Sequence, residues 1–83
     1  MEANSQKKDA AVRTRRAIVN LLKQEGAMDS KELSKRLGVS AMAIRQHLYA
    51  LQSERLVTYQ EEPRPMGRPA KLWRLTPAAD RFF

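Results

Sequence analysis

The 83-residue chain is expected to fold as a small α+β domain: a three-helix core, a two-stranded β-hairpin and a C-terminal helix. Two observations predict this. Up to about residue 55 the apolar side chains recur at the three- and four-residue intervals of amphipathic helices. From Val57 onward they alternate at period two on either side of a proline-containing loop. Composition supports one globular unit, with 42% hydrophobic and 30% charged residues. At this length the core is small and a large internal cavity is not expected. The chain has no cysteine, which excludes disulfide scaffolds, thiolate metal sites and cysteine nucleophiles.

The first nine residues are polar and aperiodic and are expected to be a disordered tail, with the domain proper spanning residues 10–83. Ile18, Leu21, Leu22 and Glu25 then follow the i, i+3, i+4, i+7 rule, with Arg13, Arg15, Arg16 and Lys23 as the charged positions of a first helix. Gly26 ends it as a C′ glycine. Asp29 is placed to cap a second helix, and Glu32 stands three residues later to reach back. Leu33 and Leu37 lie one turn apart on it, and Gly38 stops it. Ser40 is the cap expected for a third helix, which carries Ile44, Leu48 and Leu51 on one face and ends near Arg55.

Val57 to Glu61 reads as a strand, with Val57 and Tyr59 on one side. Pro63 to Pro69 is a loop, because its prolines lack amide donors for a ladder. Lys71 to Leu75 is the second strand, with Lys71, Trp73 and Leu75 on the side opposite Leu72 and Arg74. Thr76-Pro77 resembles an N-cap followed by proline at the first helical position, so a last helix is expected from Ala78 to Phe83.

The segment Leu33 to Leu48 has the properties of a helix-turn-helix. Two short helices crossing steeply need a small residue at their approach (Ser34), a turn residue that tolerates a left-handed backbone (Gly38) and shared apolar anchors (Leu33, Leu37, Val39, Ile44). With Ile44, Leu48 and Leu51 inward, the third helix turns Met42, Gln46, Tyr49 and Ser53 outward, and Arg45 lies on the flank. That outward set suits the major groove of a DNA duplex. Gln46 can pair with an adenine edge and Arg45 with a guanine edge, and Met42 can touch a thymine methyl. Tyr49 and the Ser40 hydroxyl are expected to reach phosphate. The plainer alternative is a solvated helix face. His47, the one histidine, lies near the inward face and is expected to be structural.

Lys and Arg total 16 against 9 acidic residues, a net charge of +7 and a pI near 10.4, which points to a polyanionic partner. Charge is densest in the hairpin, where Arg64, Arg68, Lys71 and Arg74 have no acid among them from Pro63 to Leu75. A hairpin after a helix-turn-helix is the wing of a winged helix. In Gly67-Arg68-Pro69 a side-chain-free residue, an arginine and a rigid proline suit insertion into an A·T-rich minor groove. Arg64 and Lys71 complete the expected DNA-binding residues. The motif resembles the core of an AT-hook, although Met66 stands where that hook has an arginine.

Residues from about 13 to 83 resemble the winged-helix domain of bacterial transcriptional regulators of the ArsR/DeoR-like superfamily. The resemblance is carried by Glu32-Leu33-Ser34, Leu37-Gly38-Val39-Ser40, Ala43-Ile44-Arg45, His47-Leu48, Leu51, Leu56-Val57 and the run from Gly67 to Trp73. The Gly-Arg-Pro-Ala-Lys wing is most similar to regulators related to the iron–sulfur repressor SufR. Ala43 and His47 depart from the DeoR pattern, which has threonine and an acidic residue there. The cysteine metal site of ArsR sensors is absent, so no metal or other cofactor is expected.

The resemblance implies sequence-specific binding of double-stranded DNA by a cytoplasmic regulator, expected to be a repressor and a homodimer in its full-length form. SufR-like proteins carry their cluster in a further C-terminal domain, and this chain stops at Arg81-Phe82-Phe83. It is therefore expected to be the N-terminal piece of a longer regulator. No phosphate-cradling glycine loop or catalytic triad exists, so no enzyme activity is expected. No apolar run approaches the ~20 residues of a membrane span, so no membrane partner is expected either. The alternative is a winged helix used for protein–protein contact in a larger assembly.

Overall fold

The computed structural model describes the backbone of residues 2–81 and the side chains of residues 10–79. Three helices, α1 (Glu2–Glu25), α2 (Ser30–Leu37) and α3 (Ala41–Ser53), precede two strands, β1 (Val57–Glu62) and β2 (Ala70–Leu75), and a 3-10 turn at Pro77–Arg81. The helix boundaries follow local chemistry. The Gly26 amide donates to the Leu22 carbonyl at 3.0 Å and closes α1. The Glu32 amide donates to Asp29 Oδ1 at 2.7 Å, capping α2. At the other end Gly38 adopts φ 65° and donates its amide to the Ser34 carbonyl at 2.9 Å. A Cβ there would meet nothing within 4 Å, so the left-handed backbone itself is what calls for glycine. The Ser34 hydroxyl donates to the Val39 carbonyl and stitches the turn. Ser40 Oγ accepts the Ala43 amide at 3.2 Å, which starts α3.

The core lies where the inner faces of the helices meet one side of the hairpin. Ile18, Val19 and Leu22 of α1, Leu33 of α2, and Ile44, Leu48 and Leu51 of α3 are buried together. Leu21, Leu37 and Val39 pack at the edge of this cluster. The hairpin closes it with Val57 and Trp73, and Met28, Leu56 and Ala79 complete it. Among the described residues no polar or charged side chain is buried.

The hairpin is antiparallel, with Val57 opposite Leu75, Tyr59 opposite Trp73 and Glu61 opposite Lys71. Trp73 also exchanges both backbone hydrogen bonds with Met28, at 3.0 and 2.8 Å, so the link between α1 and α2 runs along the second edge of β2. A single bridging residue has no sequence period, which is why Met28 carried no strand signal.

Three elements differ from expectation. Helix α1 begins at Glu2, so regular backbone starts within the expected tail. Residues 2–9 contain neither glycine nor proline, and extending an anchored helix avoids the nucleation that isolated helices find costly. At the other end the expected α-helix is a 3-10 turn: the Ala79 amide donates to the Thr76 carbonyl at 3.0 Å, three residues back. The Thr76 hydroxyl does not cap; it donates to the Arg55 carbonyl at 2.7 Å and holds the end of β2 against the turn after α3. Phe82 and Phe83, the rest of that expected helix, lie outside the described residues. The turn after α3 puts Arg55 at φ 63°, a left-handed position without the glycine that would have announced it.

Exposed ion pairs tie the helices at their rims. Arg15 of α1 meets the Glu54 carboxylate after α3 through both terminal guanidinium nitrogens, at 2.6 and 2.7 Å. Arg36 reaches both Glu25 and Glu32 at 3.3 Å. Arg15 holds the Glu54 carboxyl below its usual range, mainly by hydrogen bonding. Partial burial, with a smaller effect from the Arg15 charge, holds the His47 imidazole below its ordinary 6.5.

Three outcomes are expected. Trp73→Ala should lower stability by about 3–5 kcal/mol in urea unfolding, enough to unfold a small domain. Gly38→Ala should lower it by about 1 kcal/mol through backbone strain alone. Because the unfolded chain protonates His47 more readily than the fold does, stability should be complete above about pH 6.5 and decline as pH falls towards the folded value. Urea midpoints of the parent and His47→Gln across that range check this; the decline should shrink in the variant.

Candidate nucleic-acid interface

The phase of α3 is set by its buried side: with Ile44, Leu48 and Leu51 sealed in the core, Met42, Arg45, Gln46, Tyr49 and Ser53 are exposed. Met42 is 64% and Tyr49 51% exposed. Ser40 is exposed at the helix cap, with its Oγ already accepting the Ala43 amide.

The loop of residues 63–69 is exposed throughout, and Gly67 there takes φ 87°. The hairpin leans this loop over the side of α3. The result is an open cleft bordered by the start of α2, by Arg45 and Tyr49 of α3, and by the wing, with Trp73 among its lining residues. The wing supplies Arg64, Arg68 and Lys71. Of the eight expected DNA-binding residues, Arg45, Tyr49, Arg64, Arg68 and Lys71 share this cleft; Ser40, Met42 and Gln46 lie outside it on the exposed surface of α3.

Each cleft residue is held differently. The Tyr49 ring stands edge-on to Trp73, with centroids 6.0 Å apart and planes at 69°. Lys71 Nζ lies 4.8 Å from the Tyr59 ring centroid, and that ring packs on Trp73 at 4.9 Å. Lys71, Tyr59 and Trp73 thus share one face of the hairpin. Arg74 points from the other face and borders a separate depression with Leu22, Ala27 and Thr58. The local absence of acids in the wing does not survive folding. Asp29 is brought to Arg64, with Oδ2 3.4 Å from the guanidinium, while its Oδ1 remains on the Glu32 amide. Among the described residues no acid pairs with Arg45 or Arg68.

Sequence reasoning missed Asp29 and Lys31, which also line the cleft. Both read as the start of α2, and nothing along the chain joins them to a loop 35 residues away. The lining therefore carries five cations, Lys31, Arg45, Arg64, Arg68 and Lys71, against the single carboxylate of Asp29. Clustered positive charge in an open cleft attracts a polyanion and focuses its approach. Among the described residues no group of three or more His, Cys, Asp or Glu could hold a metal ion, and no helix is long and apolar enough to cross a membrane.

Known structures share this architecture. A PadR-like transcription factor from Bacteroides fragilis superposes with a TM-score of 0.82 at 20% identity, over 95% of this chain and 81% of that one. A ZitR variant from Lactococcus lactis gives a TM-score of 0.71 at 25% identity, over 83% of this chain and 45% of that one. The Zα domain of PKZ from Carassius auratus, solved in complex with Z-DNA, gives 0.66 at 25% identity, over 81% of this chain and 98% of that domain. No curated protein sequence matches the chain. The sequence model of the arsR family of bacterial regulatory proteins matches residues 13–59, from the middle of α1 through all of α2 and α3 into β1. With its three helices, hairpin wing and basic cleft, the chain belongs to the arsR family of bacterial regulatory proteins, as a winged helix-turn-helix domain for DNA-binding transcription regulation.

Proposed function

We propose that the domain binds double-stranded DNA in a sequence-specific manner, with α3 in the major groove and the wing in the adjoining minor groove. One observation carries this reading: Arg45 and Tyr49, on the exposed side of α3, border the same basic cleft as the arginines of the wing, so one duplex can meet both elements. Gln46 and Arg45 are the base-reading residues, on adenine and guanine edges respectively, and Met42 packs on a thymine methyl. Tyr49, Ser40 and Lys71 contact the phosphate backbone. Arg68 enters the minor groove, where Gly67, a turn residue at φ 87° with no side chain, lets the backbone approach the floor. Arg64 adds charge to the cleft and is already paired with Asp29.

This domain, taken as residues 10–83, serves a cytoplasmic repressor without catalytic activity. The repressor acts as a homodimer on half-sites about 34 Å apart. The partner is DNA and not a membrane. Use as a protein–protein module is the alternative; a chain net charge of +7, with five cations against one carboxylate at the cleft, favours a polyanion over it. A second nucleic-acid reading rests on the match to almost the whole of a Zα domain bound to Z-DNA. Under it the domain would prefer a left-handed duplex. Circular dichroism of an alternating C·G duplex separates the two, since only the left-handed reading inverts its spectrum on adding protein.

The DNA reading fixes measurable outcomes. Anisotropy titrations with the purified chain should lose affinity steeply with salt, by a logarithmic slope of about 0.9 per phosphate contact. A flat salt response would overturn the reading. With duplexes selected from a random pool, Gln46→Ala or Arg45→Ala should remove about 1–3 kcal/mol of discrimination at one base pair. Arg68→Ala should weaken binding chiefly on A·T-rich flanks.

A further inference from the structure

We propose, resting on the DNA reading above, that Arg64 is a positioning residue, tied to Asp29 to aim the wing, and that it makes no phosphate contact of its own. The Asp29 carboxylate is fixed before Arg64 meets it, because Oδ1 receives the Glu32 amide at 2.7 Å and so follows the end of α2. Its other oxygen is left for Arg64 at 3.4 Å. Arg64 lies two residues beyond the end of β1 and four before Arg68, at the root of the exposed loop. Among the described residues no other hydrogen bond or ion pair ties residues 63–69 to the helices. Trp73 seats the strands of the hairpin on the core, and this contact in addition ties the loop itself to the start of α2.

Electrostatics separates Arg64 from its neighbours. A phosphate brought to its guanidinium would also stand beside the Asp29 carboxylate, and the repulsion between like charges cancels much of the attraction. Arg45 and Arg68 have no such partner among the described residues. The cleft thus holds arginines of two kinds, one used within the protein and two open to the duplex. Asp29, an acid in a cleft suited to a polyanion, is explained by what it holds.

Asp29→Asn makes the test clean, since asparagine caps a helix as well as aspartate does while the charge is removed. Salt-dependent titrations would use the parent, Arg64→Ala, Asp29→Asn, Arg68→Ala and the Asp29→Asn/Arg64→Ala double variant. Two duplexes would share one pool-selected core and differ only in an A·T-rich or G·C-rich flank on the wing side. Arg68→Ala should reduce the salt slope by about 0.9. Arg64→Ala and Asp29→Asn should leave the slope unchanged, and each should cut the A·T-flank preference about two- to fivefold, the range a half-exposed ion pair supports. The double variant should be no worse than either single one. The proposal is overturned if Arg64→Ala lowers the slope by about 0.9, if it leaves the flank preference intact, or if Asp29→Asn tightens binding. Absence of salt-dependent duplex binding by the parent overturns the DNA reading itself, and this inference with it.

Discussion

Trp73 is the residue at which the parts of this domain meet. Its indole is buried against the helical core, its backbone pairs with Tyr59 on one side and with Met28 on the other, and its ring edge receives Tyr49 of α3. An aromatic side chain contributes more buried area than any aliphatic one, so a two-stranded hairpin that would be marginal alone becomes part of the core. The same placement puts the wing beside α3. Without Trp73 the hairpin would lose its anchor on the core, and the cleft exists only because of the position that anchor sets.

The cleft shows how a fold concentrates what a sequence scatters. Lys31, Arg45, Arg64, Arg68 and Lys71 come from three separate segments and converge on one opening. Gathering cations raises the local potential and disfavours the compact state slightly, and a polyanion relieves that repulsion on binding. The aromatic stack beneath keeps Lys71 and Tyr49 in place. The surface is therefore organised before any partner arrives, which lowers the ordering entropy that binding must overcome.

Much of this was legible along the chain because its signals are local. Asp29, Gly38 and Ser40 mark helix ends through chemistry that acts within three or four residues. The buried face of α3 follows from the spacing of Ile44, Leu48 and Leu51, and its exposed face from the same arithmetic. The features that stayed hidden are non-local or lack a marker. Met28 pairs with a residue 45 positions away, Arg55 turns without glycine, and Val19 is buried although the three- and four-residue spacing of α1 runs from Ile18 through Leu21 and Leu22. Thr76-Pro77 carried a helix-start signal, but its hydroxyl found a stronger use on the Arg55 carbonyl.

Caps, periodicity and composition act over a few residues, so the helix-turn-helix, the hairpin, the outward residues of α3 and the excess of positive charge can all be read along the chain. Which of those charges share a cleft, the pairing of Arg64 with Asp29, and the turning of Arg74 away from the others all come from packing. Coulombic partners are chosen by distance in space, and distance in space is what packing around Trp73 sets.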